Sequence, residues 1–269
     1  MTAPAQKTNF RAVDAWYCAL ALIVTDALVV FWIRFAAKHS FKFYYFWEST
    51  TGSICSVLIQ GFLWFFWALW FSRVSNTREL FFKVGLNKKI NLYGYVAAWV
   101  AFLIALFSHC ATSYGWVTAV KNVNHIDHDE LVGFYYFFFA AKTIALMPFI
   151  EEVTTRGFIY SALREKYKMP LCIFLIIAFA SYFHRSLITS SSFEFLILVL
   201  FVVLLCIVRE NTNSLWNCIL CHGVYNAAAI QLWYPVMIFM ICLLPFVLFG
   251  TRADKLREKL DSPEKETIG

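Results

Sequence analysis

The sequence predicts an all-α, polytopic membrane protein of about eight transmembrane helices, with both termini on the cytoplasmic side. Three observations predict it. Of the 269 residues, 61% are hydrophobic and 15% charged, whereas a soluble domain carries about 25% charge. The apolar residues gather into runs of membrane-spanning length separated by polar stretches. Lys and Arg are distributed unevenly between the two sets of loops.

A span needs about 20 mainly apolar residues. Eight segments meet this need: 14–33, 52–71, 92–114, 132–163, 170–184, 191–208, 214–231 and 233–250. The fourth is over-long and the fifth short. Ahead of the first, MTAPAQKTNFRAVDAW contains no short hydrophobic region with a small-residue cleavage site, so the first segment reads as a retained span. The whole of 1–269 then reads as one membrane domain with a charged cytoplasmic tail at 251–269 and no lipidation signal. The spans leave no length for a soluble domain, and no internal repeat is visible.

An even number of spans places both termini on one side. If that side is cytoplasmic, sixteen Lys/Arg fall inside, from Lys7 and Arg11 through Arg73, Arg78, Lys83, Lys88, Lys89, Arg164, Lys166, Lys168 and Arg209 to five in the tail. Five fall outside: Arg34, Lys38, Lys42, Lys121 and Arg185. Lys142 and Arg156 lie within spans. This bias favours the cytoplasmic orientation. The net charge of +6 reports loop topology rather than nucleic-acid binding. The eight cysteines fall mostly in apolar runs, where Cys acts as a small hydrophobe, and they suggest no disulfide framework.

Ionisable groups at bilayer depth are expensive and mark candidate function. The fourth segment reads MPFIEEVTTRGFIY after a long apolar run. Pro148 removes a backbone hydrogen bond and predicts a kink. Glu152 and Arg156 are four apart, acid before base, the favourable helical order for an ion pair. Glu151 points about 100° away around the helix and is the carboxylate left free. His184 ends the fifth segment among aromatics. On the seventh, His222 and Asn226 are i and i+4 and share a face. Asn226 could orient an imidazole or donate its amide to a developing oxyanion. Measured along each helix at about 1.5 Å per residue, these groups fall in one layer. A carboxylate, two imidazoles and a carboxamide are what a hydrolase needs to activate water and hold an oxyanion.

Each group also has a plainer reading. The acid pair and Arg156 fit an interfacial cluster ending a span. His184 fits an aromatic belt beside Arg185. His222 and Asn226 fit interhelical glue, helped by Gly223 and the alanines at 227–229. Cys218-Ile-Leu-Cys221-His222 matches the c-type haem pattern, but attachment needs an exported soluble segment. Zinc held by these cysteines and Glu151 is possible but disfavoured, because cysteines at i and i+3 with His at i+4 crowd one turn. The preferred reading therefore has no metal and no cofactor. His39, His109, His125 and His128 read as loop or interface groups. Asp26 and Lys142 are intramembrane charges without a partner legible in the sequence.

The ordered set Glu151-Glu152-x-x-x-Arg156, His184 on the next helix, and His222-x-x-x-Asn226 resembles the CPBP family, the CAAX prenyl endopeptidase type II and bacteriocin-processing-like intramembrane proteases. The stretch RENTNSLWNCILCHGVYNA is similar to that family's approach to its last motif, and Arg156-Gly157 matches its usual Arg-Gly. The resemblance covers about 132–231, the expected catalytic core. Ala180 stands where the family usually has Phe, with Phe179 and Phe183 nearby. The resemblance implies an intramembrane endopeptidase of the glutamate type, in a family often labelled metalloprotease. Glu151 and His184 would activate water, His222 and Asn226 would stabilise the oxyanion, and Glu152 and Arg156 would support the site.

The expected substrate is a peptide or a membrane-proximal protein segment, with the lipid bilayer as the protein's surroundings and no nucleic acid. The expected location is a multi-pass integral membrane protein, in the cytoplasmic membrane if the source is bacterial. Two other classes remain open: a non-catalytic binding or immunity protein retaining the protease fold, and a small proton-relay transporter. The transporter is disfavoured because no second, pseudo-symmetric polar helix pair is present.

Overall fold

A computed structural model describes residues 10–39, 50–113, 134–185 and 191–261. Lys42, Lys121, His125 and His128 lie outside the described residues, as does the acidic stretch Asp127, Asp129 and Glu130. The described chain is all-α. Its nine helices are α1 (Ala12–His39), α2 (Thr50–Ser72), α3 (Thr77–Lys83), α4 (Leu92–Ser113), α5 (134–164), α6 (Met169–Phe183), α7 (Ser192–Thr212), α8 (Leu215–Ala229) and α9 (Trp233–Asp261).

Every expected apolar segment coincides with a helix. Among the described residues, four helices are long and apolar enough to cross a membrane: Ala12–Ala36, Leu92–Thr112, Ser192–Thr212 and Trp233–Arg252. The helices that carry the histidines are shorter. At about 1.5 Å per residue, α6 and α8 reach roughly 22 Å, less than the ~30 Å hydrocarbon core. α9 runs on past the apolar segment, so the charged stretch after 250 is helical as far as Asp261.

The short helix α3 was not expected, because it is too brief and polar for a span. Its start is held by two bonds. Asn76 Oδ1 accepts from the Glu79 amide at 2.9 Å, and Glu79 Oε2 accepts from the Ser75 amide at 2.8 Å. The first bond satisfies a donor that the helix N-terminus leaves free, and the second ties the residue before the cap to the first turn. At the other ends, Ser191 accepts from Phe193 N before α7, and α7 stops at Asn213 in a left-handed conformation (φ 51).

α5 is one unbroken helical run with two wide-turn stretches. Phe134–Ala141 is α-helical, Lys142–Leu146 π-helical, Met147–Glu152 α-helical, Val153–Tyr160 π-helical and Ser161–Arg164 α-helical. The helix therefore passes Pro148 without breaking. In the first π stretch the Met147 amide bonds to the Lys142 carbonyl, five residues back. In that register the next donor, for Thr143, would come from residue 148, and proline has none. Wide turns of this kind occur often at functional sites. Here they bracket the segment bearing Glu151 and Glu152.

Small residues bring the helices together. α4 and α8 form the most extensive helix pair. Ala98, Ala101 and Ala105 of α4 are buried, as are Cys218, Cys221 and Ala228 of α8. A side chain at Gly94 would collide with Asn217. Small residues let backbones approach and gain van der Waals contact, which drives association where lipid is as apolar as the helices. Large apolar side chains such as Phe31, Phe62, Trp70, Phe246 and Phe249 face outward. This outward placement is what a bilayer accepts and water does not.

Three contacts from the chain 84–91 fix the start of α8. The Leu215 amide bonds to the Gly85 carbonyl at 3.3 Å, the Trp216 indole to Leu86 O at 2.8 Å, and the Asn91 amide to Asn217 Oδ1 at 3.1 Å. Gly85 has φ 84, and a Cβ there would lie 2.5 Å from Asn213 O, so glycine is required on both counts. The Ser-Leu-Trp-Asn sequence at 214–217 thus sets the register of the helix that carries His222.

Candidate active site

A cavity of about 250 Å³ opens among α2, α5, α6, α7 and α8. Glu151, His184 and His222 all line it. Each comes from a different helix or helix end. Glu151 lies between the two π stretches of α5. His184 lies just past the last turn of α6, where its amide still bonds to Ala180 O at 2.9 Å. His222 lies mid-way along α8.

The two adjacent glutamates have different surroundings. The Glu152 side chain is fully buried, while that of Glu151 keeps 20% exposure toward the cavity. Glu152 Oε1 meets both the Arg156 guanidinium (Nη1, 3.0 Å) and the His222 ring (Nδ1, 2.8 Å). The i,i+4 ion pair read from the sequence is present, and it is joined to the imidazole. A buried charge persists only when paired and hydrogen-bonded. Arg156 and His222 supply those partners for Glu152.

The contact with Glu152 also orients the imidazole. A carboxylate accepts from Nδ1–H, which assigns the proton to that nitrogen and turns Nε2 into the cavity. Nε2 lies 3.8 Å from Glu151 Oε2, beyond direct hydrogen-bond reach. The Phe201 ring meets the His222 ring edge-on at 5.3 Å and limits its rotation. The Thr155 hydroxyl donates to the Glu151 carbonyl and accepts from Arg156 Nη1 at 3.1 Å. The backbone beneath Glu151 is thereby tied to the same guanidinium.

His184 is placed by its neighbours. Arg185 pairs with Asp26 of α1 at 3.2 Å, and the Tyr182 hydroxyl donates to Ile23 O at 3.3 Å. The two contacts fasten the end of α6 to α1. They also give Asp26 the partner that the sequence did not disclose. Lys142 lies 5.9 Å from the Phe139 ring centroid.

Asn226 does not line the cavity. Its Nδ2 donates to the Thr143 carbonyl at 2.9 Å, across from α8 to α5. This is the interhelical bond that the glue reading described. The cysteines also point elsewhere: Cys218 Sγ donates to Leu205 O and Cys221 Sγ to Gly94 O. The alternative set of these cysteines with Glu151 is therefore not brought together. Among the described residues, no three His, Cys, Asp or Glu side chains converge in a way that could hold a metal ion.

Residues 131–228 match the family described as Type II CAAX prenyl endopeptidase Rce1-like. The chain carries a domain of that family. Comparison with curated proteins and with solved structures returns no match. The CAAX endopeptidase domain starts just before α5 and ends within the last turn of α8, so it contains the acid pair, both histidines and Asn226. Helices α1 to α4 and α9 lie outside it.

Yet α2 contributes to the cavity of this CAAX domain through Gln60 and Trp64. Sequence reasoning missed both. A lone Gln in an apolar run was the available signal for Gln60; Trp64 is one of ten tryptophans and offered none. Trp64 meets Phe183 at 4.8 Å and Phe179 at 6.0 Å between ring centroids. Phe179 and Phe183 line the cavity on either side of Ala180. An aromatic wall is thus present although Ala180 stands at the position where Phe was expected.

Proposed function

We propose that this multi-pass membrane protein is an intramembrane endopeptidase that hydrolyses a peptide bond with water activated by Glu151 and His184. The observation that carries the reading is the joint lining of one cavity by Glu151, His184 and His222. A hydrolase of this type needs a carboxylate that reaches water and a second group that holds the same water. Glu151 is the cavity-facing carboxylate, whereas Glu152 is spent on Arg156 and His222. The CAAX endopeptidase domain supports a peptide as substrate.

In this mechanism Glu151 takes a proton from water as the oxygen attacks the scissile carbonyl carbon. The carbonyl oxygen becomes an oxyanion, stabilised by His222 in its doubly protonated form, which donates from Nε2–H while Nδ1–H stays on Glu152. Collapse of the intermediate breaks the C–N bond, and Glu151 returns the proton to the leaving amine. Glu152 and Arg156 position His222. Asn226 supports oxyanion stabilisation indirectly, by holding α8, which carries His222, against α5. Residues 132–231 form the catalytic core of a single membrane domain. Eight spans with both termini inside, on the Lys/Arg bias, and a cytoplasmic opening, on the depth of the polar groups along their helices, complete the proposed topology. A peptide or membrane-proximal protein segment is the substrate class, with prenylated C-terminal peptides the first candidates.

The test is cleavage of an internally quenched prenylated CAAX peptide, and of its unprenylated counterpart, by the purified full chain. The reading predicts cleavage of at least one, with kcat lowered about 10²-fold or more in His184→Ala and His222→Ala. Wild-type rates in both variants would overturn it. Ala180, at a position where the family usually has Phe, favours a second reading, a non-catalytic binding protein on the same fold. That reading predicts saturable peptide binding without cleavage.

A further inference from the structure

Gln60 is the one carboxamide among the described residues that line the site cavity. It belongs to α2, outside the CAAX domain. The surrounding run SICSVLIQGFLWFFW is apolar. A polar side chain in such a helix normally bonds to a neighbouring helix. No hydrogen bond among the described residues uses the Gln60 side chain. Its donor and acceptor are therefore open to the cavity.

Its position is set by close helix contact. A Cβ on Gly61 would lie 2.6 Å from Ile150 Cδ1, so α2 and α5 meet at Gly61 and Ile150. Gln60 and Glu151 are the chain neighbours of those two residues, and both face the same cavity. Gln60 and Trp64, one turn apart, also line a second cavity of about 110 Å³ between α1 and α2. The two cavities share this wall.

We infer that Gln60 is a substrate-positioning residue whose carboxamide pairs with one peptide unit of an extended substrate arriving through the cavity between α1 and α2. The inference rests on the endopeptidase reading and names how that site holds its substrate. A peptide unit presents one N–H and one C=O, and both need partners where water is scarce. A carboxamide offers the complementary pair in one plane. The other polar side chains of the wall suit this less well. Thr155 and Arg156 are bonded to Glu151 O and Glu152, and Glu151, His184 and His222 are assigned to the chemistry. Trp64, with Phe179 and Phe183, forms an aromatic surface beside Gln60 on which an adjacent substrate side chain rests.

The experiment uses the purified full chain carrying Glu151→Gln, so that bound peptide is not consumed, and a fluorescent prenylated CAAX peptide as probe. Adding Gln60→Leu, which keeps the volume and removes the amide, weakens Kd about tenfold; Gln60→Asn weakens it less. With Glu151 intact, Gln60→Leu raises KM by a similar factor and leaves kcat within about twofold, the signature of lost ground-state binding. Val30→Trp, which fills the second cavity, also raises KM. Unchanged Kd and KM in Gln60→Leu, a fall in kcat at constant KM, or the absence of saturable peptide binding overturns the inference. The endopeptidase reading fails separately, if Glu151→Gln cleaves at the wild-type rate whatever Gln60 does to Kd.

Discussion

Asn226 supplies, from α8, a hydrogen bond that Pro148 withholds within α5. In the five-residue register set by Met147 N and Lys142 O, residue 148 would donate to Thr143 O. Proline cannot, and Asn226 Nδ2 takes that place at 2.9 Å. Within a membrane an orphaned carbonyl has no water to turn to. The proline and the asparagine are thus two halves of one arrangement, which ties the His222 helix to the glutamate helix.

This relationship predicts coupling. Asn226→Ala leaves Thr143 O unsatisfied and lowers stability by about 1–2 kcal/mol. In a Pro148→Ala background residue 148 regains its N–H, and the same change costs less. Thermal unfolding of the two single variants and the double variant checks this through the interaction energy of the cycle.

Two glycines should respond differently to one added methyl group. A Cβ on Gly223 would lie 2.6 Å from the Ile144 backbone oxygen, and backbone in a packed helix cannot yield. Gly223→Ala therefore lowers stability by about 1–3 kcal/mol. At Gly61 the obstacle, also at 2.6 Å, is the far end of the Ile150 side chain, which can turn aside. Gly61→Ala is expected to cost clearly less. A melting-temperature comparison of the two variants decides the point.

Glu152→Ala strips a fully buried cluster of its anion. Arg156 would remain buried without its carboxylate, and His222 would lose its anchor at Nδ1. Removing one partner of a buried pair costs about 3–5 kcal/mol. The expected outcome is a large fall in melting temperature together with loss of peptide cleavage.

The Asp26–Arg185 pair lies within the apolar length of α1, where an ionisable group is expensive without its counter-ion. Asp26→Asn takes the carboxylate away from the Arg185 guanidinium and is expected to lower the melting temperature. The shift should respond little to added salt, because screening acts on charges exposed to water.

The fold was legible because apolar runs report helices directly, and each of the eight expected segments coincides with one. The Glu152–Arg156 pair was legible because i,i+4 spacing is local. The joining of that pair to His222 was not, because it depends on how α5 and α8 approach, which the wide turns around Pro148 set. Nothing in a sequence announces a π turn, although the proline marks where the hydrogen-bond register must change. Asp26 looked unpaired because Arg185 is remote in the chain. Gln60 was passed over because one carboxamide hardly alters the hydropathy of a span.

The central claim is that Glu151, and not its buried neighbour, meets the water. Its most direct test is kcat for peptide cleavage by Glu151→Gln, with melting temperature recorded on the same preparation. The account predicts a fall in kcat of about 10²-fold or more with an almost unchanged melting temperature. Full activity in a folded Glu151→Gln protein would contradict it.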